Sequence, residues 1–113
     1  MRRTWLLMGL SILGCSPRLE VATTLDPQTQ RVVEEYEYYL NRDSGEPIRH
    51  GYYRAYWPDG SPREIGQYKD NQKHGTWHYY VDGIKRVGTY KEGTLVGRYS
   101  YYDQGGNKIR EGT

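Results

Sequence analysis

The chain has 113 residues, room for one small domain, with fourteen glycines, thirteen tyrosines and no phenylalanine. Its formal charge of +2 resides in Arg2 and Arg3, and the rest is balanced. That excludes the basic footprint a nucleic-acid binder needs and a polybasic membrane patch. Aliphatic residues are few beyond the first fourteen, so a folded region must build its apolar contacts from tyrosine and tryptophan.

The chain opens with "MRRTWLLMGLSILGC". Arg2 and Arg3 form a positive n-region and Trp5 to Leu13 an apolar run, too short for the roughly 20 residues that span a bilayer. Ile12-Leu13-Gly14 before Cys15 resembles the lipobox of bacterial lipoproteins. The resemblance implies a signal peptide over residues 1–14, cleavage before Cys15 and a lipid thioether on its sulfur. A thiol is the nucleophile suited to that alkylation, and several acyl chains anchor where one would not. Cys15 is the only cysteine, so no intramolecular disulfide forms. Ser16 in place of an aspartate implies the outer membrane, facing the periplasm, if the host is Gram-negative.

Residues 15–31 then read as the lipidated cysteine and a flexible tether, since "SPRLEVATTLDPQTQR" has no sustained period and two prolines. The next run, "RVVEEYEYYLN", is ambiguous. Val33, Tyr36 and Leu40 share a helical face, yet the Val and Tyr content favours a strand.

The rest repeats itself. Gly51, Gly75 and Gly97 each stand two residues before an aromatic (Tyr53, Trp77, Tyr99) and five before a tyrosine (Tyr56, Tyr80, Tyr102). Gly60, Gly83 and Gly106 mark turns, and Gly66, Gly88 and Gly112 open the following segment. "YKDNQKHG" and "YKEGTLVG" align position for position. Tyr36 and Tyr39 keep the aromatic spacing, so a degenerate unit over 32–50 precedes units starting at 51, 75 and 97. That tips residues 31–41 towards strand.

"PDG", "DG" and "GG" are tight hairpin signals, because such turns need positive φ. The expected fold is all-β: an elongated single-layer antiparallel meander of repeated hairpins over residues 32–113. Alternation puts Tyr53, Trp77 and Tyr99 on one face and Tyr56, Tyr80 and Tyr102 on the other. The glycine two residues before each ring is expected to leave a gap in which a neighbouring strand's ring lies flat.

The stretches "GQYKDNQKHGTWHYYVDG" and "GTYKEGTLVGRYSYYDQGG" resemble the MORN repeat, in the variant of bacterial YwqK-type proteins. The resemblance covers Gly51 to Thr113 well and Tyr36 to His50 loosely. The last unit departs from it, stopping at "EGT" without a tyrosine matching Tyr68 and Tyr90. It implies a scaffolding or membrane-associated module, or, from the label YwqK-type relatives carry, an antitoxin or immunity component.

"KHGTWHYYVDG" has the look of a site, but His74 aligns with Val96, His78 with Ser100, and Asp82 is a turn residue. On a strand the two histidines stand roughly 13 Å apart, too far for one zinc. Glu34, Glu35 and Glu37 have no cleft to act from, and no nucleophile elbow or phosphate-binding loop is present. No catalytic residue, metal or cofactor is expected. The remaining functional candidates are the aromatics Tyr53, Trp57, Trp77, Tyr79, Tyr99 and Tyr101, as contacts for a protein or glycan partner. The chain reads as a lipid-anchored, non-catalytic binding module of a bacterial cell envelope.

Overall fold

Three two-residue turns set the register of the later strands. Asp70-Asn71, Asp82-Gly83 and Glu92-Gly93 have positive φ at both positions: 47° and 71°, 50° and 79°, 51° and 83°. This is the type I′ arrangement, whose twist matches the strands it joins. Longer turns close around one acceptor side chain. Asp26 Oδ2 accepts from the N–H of Gln28 and Thr29, Asn41 Oδ1 from Asp43 and Ser44, and Asp103 Oδ1 from Gly105 and Asn107.

The computed structural model describes residues 2–4 and 18–112, and among them every element is a strand. They are β1 (Arg2–Thr4), β2 (Glu20–Leu25), β3 (Val32–Leu40), β4 (Pro47–Tyr56), β5 (Pro62–Lys69), β6 (Gln72–Val81), β7 (Ile84–Lys91), β8 (Thr94–Tyr102) and β9 (Lys108–Gly112). Sheet order follows chain order from β1 to β9, and every pairing is antiparallel. The sheet stays open, 49 × 37 × 23 Å. Its radius of gyration of 16.5 Å exceeds the roughly 13 Å of a compact domain of this length. The expected elongated meander is the fold.

At the N-terminal side one expectation changes and one ambiguity is resolved. Residues 20–25, read as flexible spacer, form β2, with Ala22 opposite Tyr36 and Glu20 opposite Tyr38. Val21, Ala22 and two threonines alternate well enough to add a strand once β3 offers an edge. The helix alternative for residues 31–41 gives way to β3, whose Tyr38 and Tyr36 pack on the shared sheet. Arg2–Thr4, read as the start of a signal, pair as β1 with β2. The apolar run from Trp5 to Leu13, the cleavage point and Cys15 lie outside the described residues.

The face assignment holds. Opposed residues share a face, so Tyr36, Tyr53 and Gly66 form one cross-sheet row. Tyr80, Lys85 and Tyr102 form a row on the opposite face. The glycines, however, exchange the roles expected of them. Gly51, Gly75 and Gly97 have φ of 114°, 78° and 82°. Each lies where its strand carries two extra residues against the preceding strand, opposite Tyr36/Tyr38, Ile65/Gln67 and Val87/Thr89 respectively. They are bulge glycines, needed for backbone conformation. The gaps for rings belong instead to Gly66 and Gly88. A methyl at Gly66 would stand 2.6 Å from Trp77 Cγ, and one at Gly88 2.8 Å from Tyr99 Cδ1. The bulge re-aims the ring two residues later, sending Trp77 over β5 and Tyr99 over β7.

These rings build the core. Tyr53, Ala55, Trp77, Tyr79 and Tyr90 are buried, with Tyr36, Tyr68, Leu95 and Tyr99 packed around them. Trp77 is 0% exposed although no second layer covers it. The rings of Tyr68, Tyr53, Tyr79 and Tyr90 surround it with centroids 5.2 to 6.5 Å away. Each such pair is worth about 0.5–1.5 kcal/mol beyond the area it buries.

Candidate functional site

The aromatic row continues across the sheet on the core face. Tyr79 meets Tyr99 edge-on at 6.4 Å, and Tyr99 meets Tyr101 at 6.3 Å. Cations sit between the rings. Arg49 lies 4.9 Å from the Tyr36 ring centroid and 5.4 Å from that of Tyr68. Lys73 lies 4.7 Å from Trp77, Arg86 4.4 and 4.3 Å from Tyr79 and Tyr99, and Arg110 4.1 Å from Tyr101. The ring quadrupole attracts each cation, by about 0.5–2 kcal/mol depending on desolvation.

Hydroxyl groups link this row. Lys73 Nζ donates to Tyr79 Oη (2.8 Å), Tyr79 Oη donates to Tyr90 Oη (3.3 Å), and Tyr90 Oη bonds Tyr99 Oη. Further along the face, Tyr53 Oη donates to Glu34 Oε2 at 2.6 Å. Burial, then that hydrogen bond, push the Tyr53 phenol far above its ordinary range. Burial also raises Tyr79 and Tyr90, while Tyr99 is raised first by its bond to Tyr90. The phenols therefore stay protonated at neutral pH and act as hydrogen-bond donors rather than as bases.

The structure divides the six aromatic candidates. Trp77, Tyr53 and Tyr79 are core, at 0%, 7% and 8% exposure, which corrects the expectation that they face a partner. The physical reason is that bulges and bare glycines let neighbouring rings, with Lys73 and Arg86 lying over them, cover these side chains. Tyr99 and Tyr101 are half-buried. Trp57 is 39% exposed, its indole Nε1 donating to Tyr80 O at 3.3 Å and Arg63 lying 5.5 Å from its ring.

Trp57 stands where two depressions meet. One, about 670 Å³, lies among the turns after β4, β6 and β8 and is lined by Pro62, Tyr80, Val81, Ile84 and Gln104. The other, about 380 Å³, lies on the core face beside Glu64, Lys73, Tyr79, Arg86 and Tyr99. The cations beside this second groove were missed from the sequence. A signal was there. Arg49 and Lys73 both stand two residues before a bulge glycine, and Arg86 and Arg110 two residues before Gly88 and Gly112, a place that Glu64 takes before Gly66.

His74 and His78 lie on one strand with no converging ligands, and no group of three or more His, Cys, Asp or Glu able to hold a metal occurs among the described residues. No helix there is long and apolar enough to cross a membrane. Compared with known proteins, the chain matches no family model, no curated protein and no solved structure.

Proposed function

We propose that the chain is a non-catalytic binding or scaffolding module, presented at a bacterial cell envelope by a lipid on Cys15. The observation that carries the binding role is Trp57. It is a large ring held by a backbone carbonyl, more than a third exposed, between two depressions of an uncovered sheet. Tryptophan is over-represented among residues that dominate interfaces. The glycine and tyrosine spacing that resembles MORN repeats supports the same reading, and the lipobox-like "ILGC" supports the anchor.

The test is photo-crosslinking from position 57 in intact cells, followed by identification of the captured protein. A discrete partner captured from position 57 but not from Lys91, on the far side of β7, supports the module. No partner, or equal capture from both, overturns it. A captured toxin would select the antitoxin or immunity form of the same reading, which rests on the YwqK-type resemblance. Cys15→Ser should move the protein out of the membrane fraction. An unmodified Cys15, or retained residues 1–14, in the intact mass of the membrane-extracted protein sinks the anchor.

A further inference from the structure

We propose that the groove on the core face binds a side-chain carboxylate of an acidic polypeptide segment, through Lys73, Arg86 and the Tyr90–Tyr99 hydroxyl pair. This inference rests on the binding-module reading and names the chemistry of its partner.

Charge is the first argument. Arg63, Lys73 and Arg86 border the groove, with Glu64 the only carboxylate among its lining residues. Glu64 is engaged by Arg63, Nη1 to Oε2 at 3.4 Å. Lys73 and Arg86 make no ion pair with a carboxylate among the described residues. Arg86 lies against the rings of Tyr79 and Tyr99, and its Nε is buried without a hydrogen-bond acceptor. A guanidinium flanked by two rings loses little freedom when its fork meets a carboxylate.

The second argument is the direction of the hydroxyl chain. An ammonium can only donate, so Tyr79 accepts from Lys73 and passes its own proton to Tyr90. Tyr90 and Tyr99 share the next bond, in which either hydroxyl can donate. Whichever of the two accepts it keeps an O–H proton without an acceptor among the described residues. Such a chain is polarised by the cation at its head, which strengthens the last donor. The hydroxyl pair stands beside Arg86, whose guanidinium carbon lies 4.3 Å from the Tyr99 ring centroid. A positive groove therefore ends in an unused hydroxyl donor.

A bare inorganic anion would use only the cations. A carboxylate carried on an extended polypeptide also places its neighbours along the ring row, with Trp57 on one side and Tyr101 on the other. Tyrosine, tryptophan and arginine are the residue types that anchor such interfaces.

The test is calorimetric titration of the full chain with a blocked peptide of alternating Glu and Ser, with the Gln-Ser peptide, inorganic phosphate and a polyuronate as comparison probes. The Glu peptide should bind, and more weakly as salt rises. Arg86→Gln should lower affinity about tenfold or more, and the double variant Tyr90→Phe/Tyr99→Phe, which keeps both rings, about fivefold. Thermal melts of the variants confirm folding, and the double variant alone decides the matter if Arg86→Gln does not fold. Equal binding of the Gln peptide, phosphate or the polyuronate overturns the proposal, as does an unchanged affinity in the folded double variant. If no acidic probe binds while crosslinking from position 57 still captures a partner, the acidic-segment inference falls and the module reading stands.

Discussion

Trp77 of β6 lies over Gly66 of β5, close enough that a methyl on Gly66 would be 2.6 Å from the indole Cγ. The indole also donates from Nε1 to Gln67 O, the carbonyl next along β5, at 3.0 Å. One side chain thus closes a strand pair at the bulge, where three residues of β6 face one of β5. Gly66→Ala should cost about 1–3 kcal/mol by overpacking. Trp77→Ala should cost about 3–5 kcal/mol. Denaturant melts measure both. A neutral Gly66→Ala would show that the ring has other room.

Gly97 poses the opposite case. Its φ is 82° and nothing stands within 4 Å of a methyl placed there, so only backbone strain opposes a side chain. Gly97→Ala should cost about 1–2 kcal/mol, and Gly97→Asn less, because asparagine tolerates left-handed backbone. An alanine and an asparagine of equal cost would contradict this assignment.

That contrast bears on how far the fold was legible. Gly51, Gly75 and Gly97 announced themselves by spacing, and the hairpins, the strand order and the two tyrosine faces follow from it. Their spacing could not say whether a glycine supplies room or a backbone angle. Only the bulge, created by two strands of unequal count, separates the roles. Tyr53, Trp77 and Tyr79 looked like contact residues because no second layer was expected. Neighbouring rings and the long side chains of Arg49, Lys73 and Arg86 lie over them instead. The strand at Glu20–Leu25 was missed because six residues without flanking glycines carry too little periodicity to stand out.

Trp57 and Trp77 should separate binding from folding. Trp57→Ala removes a ring 39% exposed at the rim together with its bond to Tyr80 O, and should cost about 1–2 kcal/mol, less than Trp77→Ala, leaving the chain folded while weakening partner capture. Trp77→Ala should lose capture only by unfolding. Circular dichroism beside the crosslinking yield distinguishes the two. A folded Trp57→Ala chain with full capture would remove Trp57 from the interface.

His78 gives the sheet a pH response. Burial first, then the charge of Lys85, lower its pKa below the ordinary imidazole value of 6.5, and its Nδ1 is buried without a partner. The unfolded chain therefore binds the proton more readily than the folded one. Stability contributed by the neutral ring is present above the unfolded pKa and is lost as pH falls below about 6.5 towards the lower folded value. His78→Gln should flatten the melting temperature across that window. An unchanged slope would place the titration elsewhere.

The turn aspartates respond at lower pH. Asp26 and Asp103 are lowered chiefly by backbone N–H groups, of Thr29 and Asn107, and Asp59 by the Ser61 hydroxyl. Because their folded pKa values lie below 3.8, the turns keep these bonds at and above that pH and lose them as it falls further. Amide exchange at Thr29, Ser61 and Asn107 should quicken in acid before exchange at Trp77 does. Simultaneous loss would mean the sheet melts as one unit.

Strand order that copies chain order has a mechanical consequence. Each strand is hydrogen-bonded only to the strands before and after it in sequence. A pull on the two ends of this sheet would load the backbone bonds one at a time, as in peeling tape, instead of shearing many together. The module should extend in small steps at low force, each step releasing one strand. At a site held on one side and gripped by a partner on the other, it would act as a compliant spacer whose reach grows under tension.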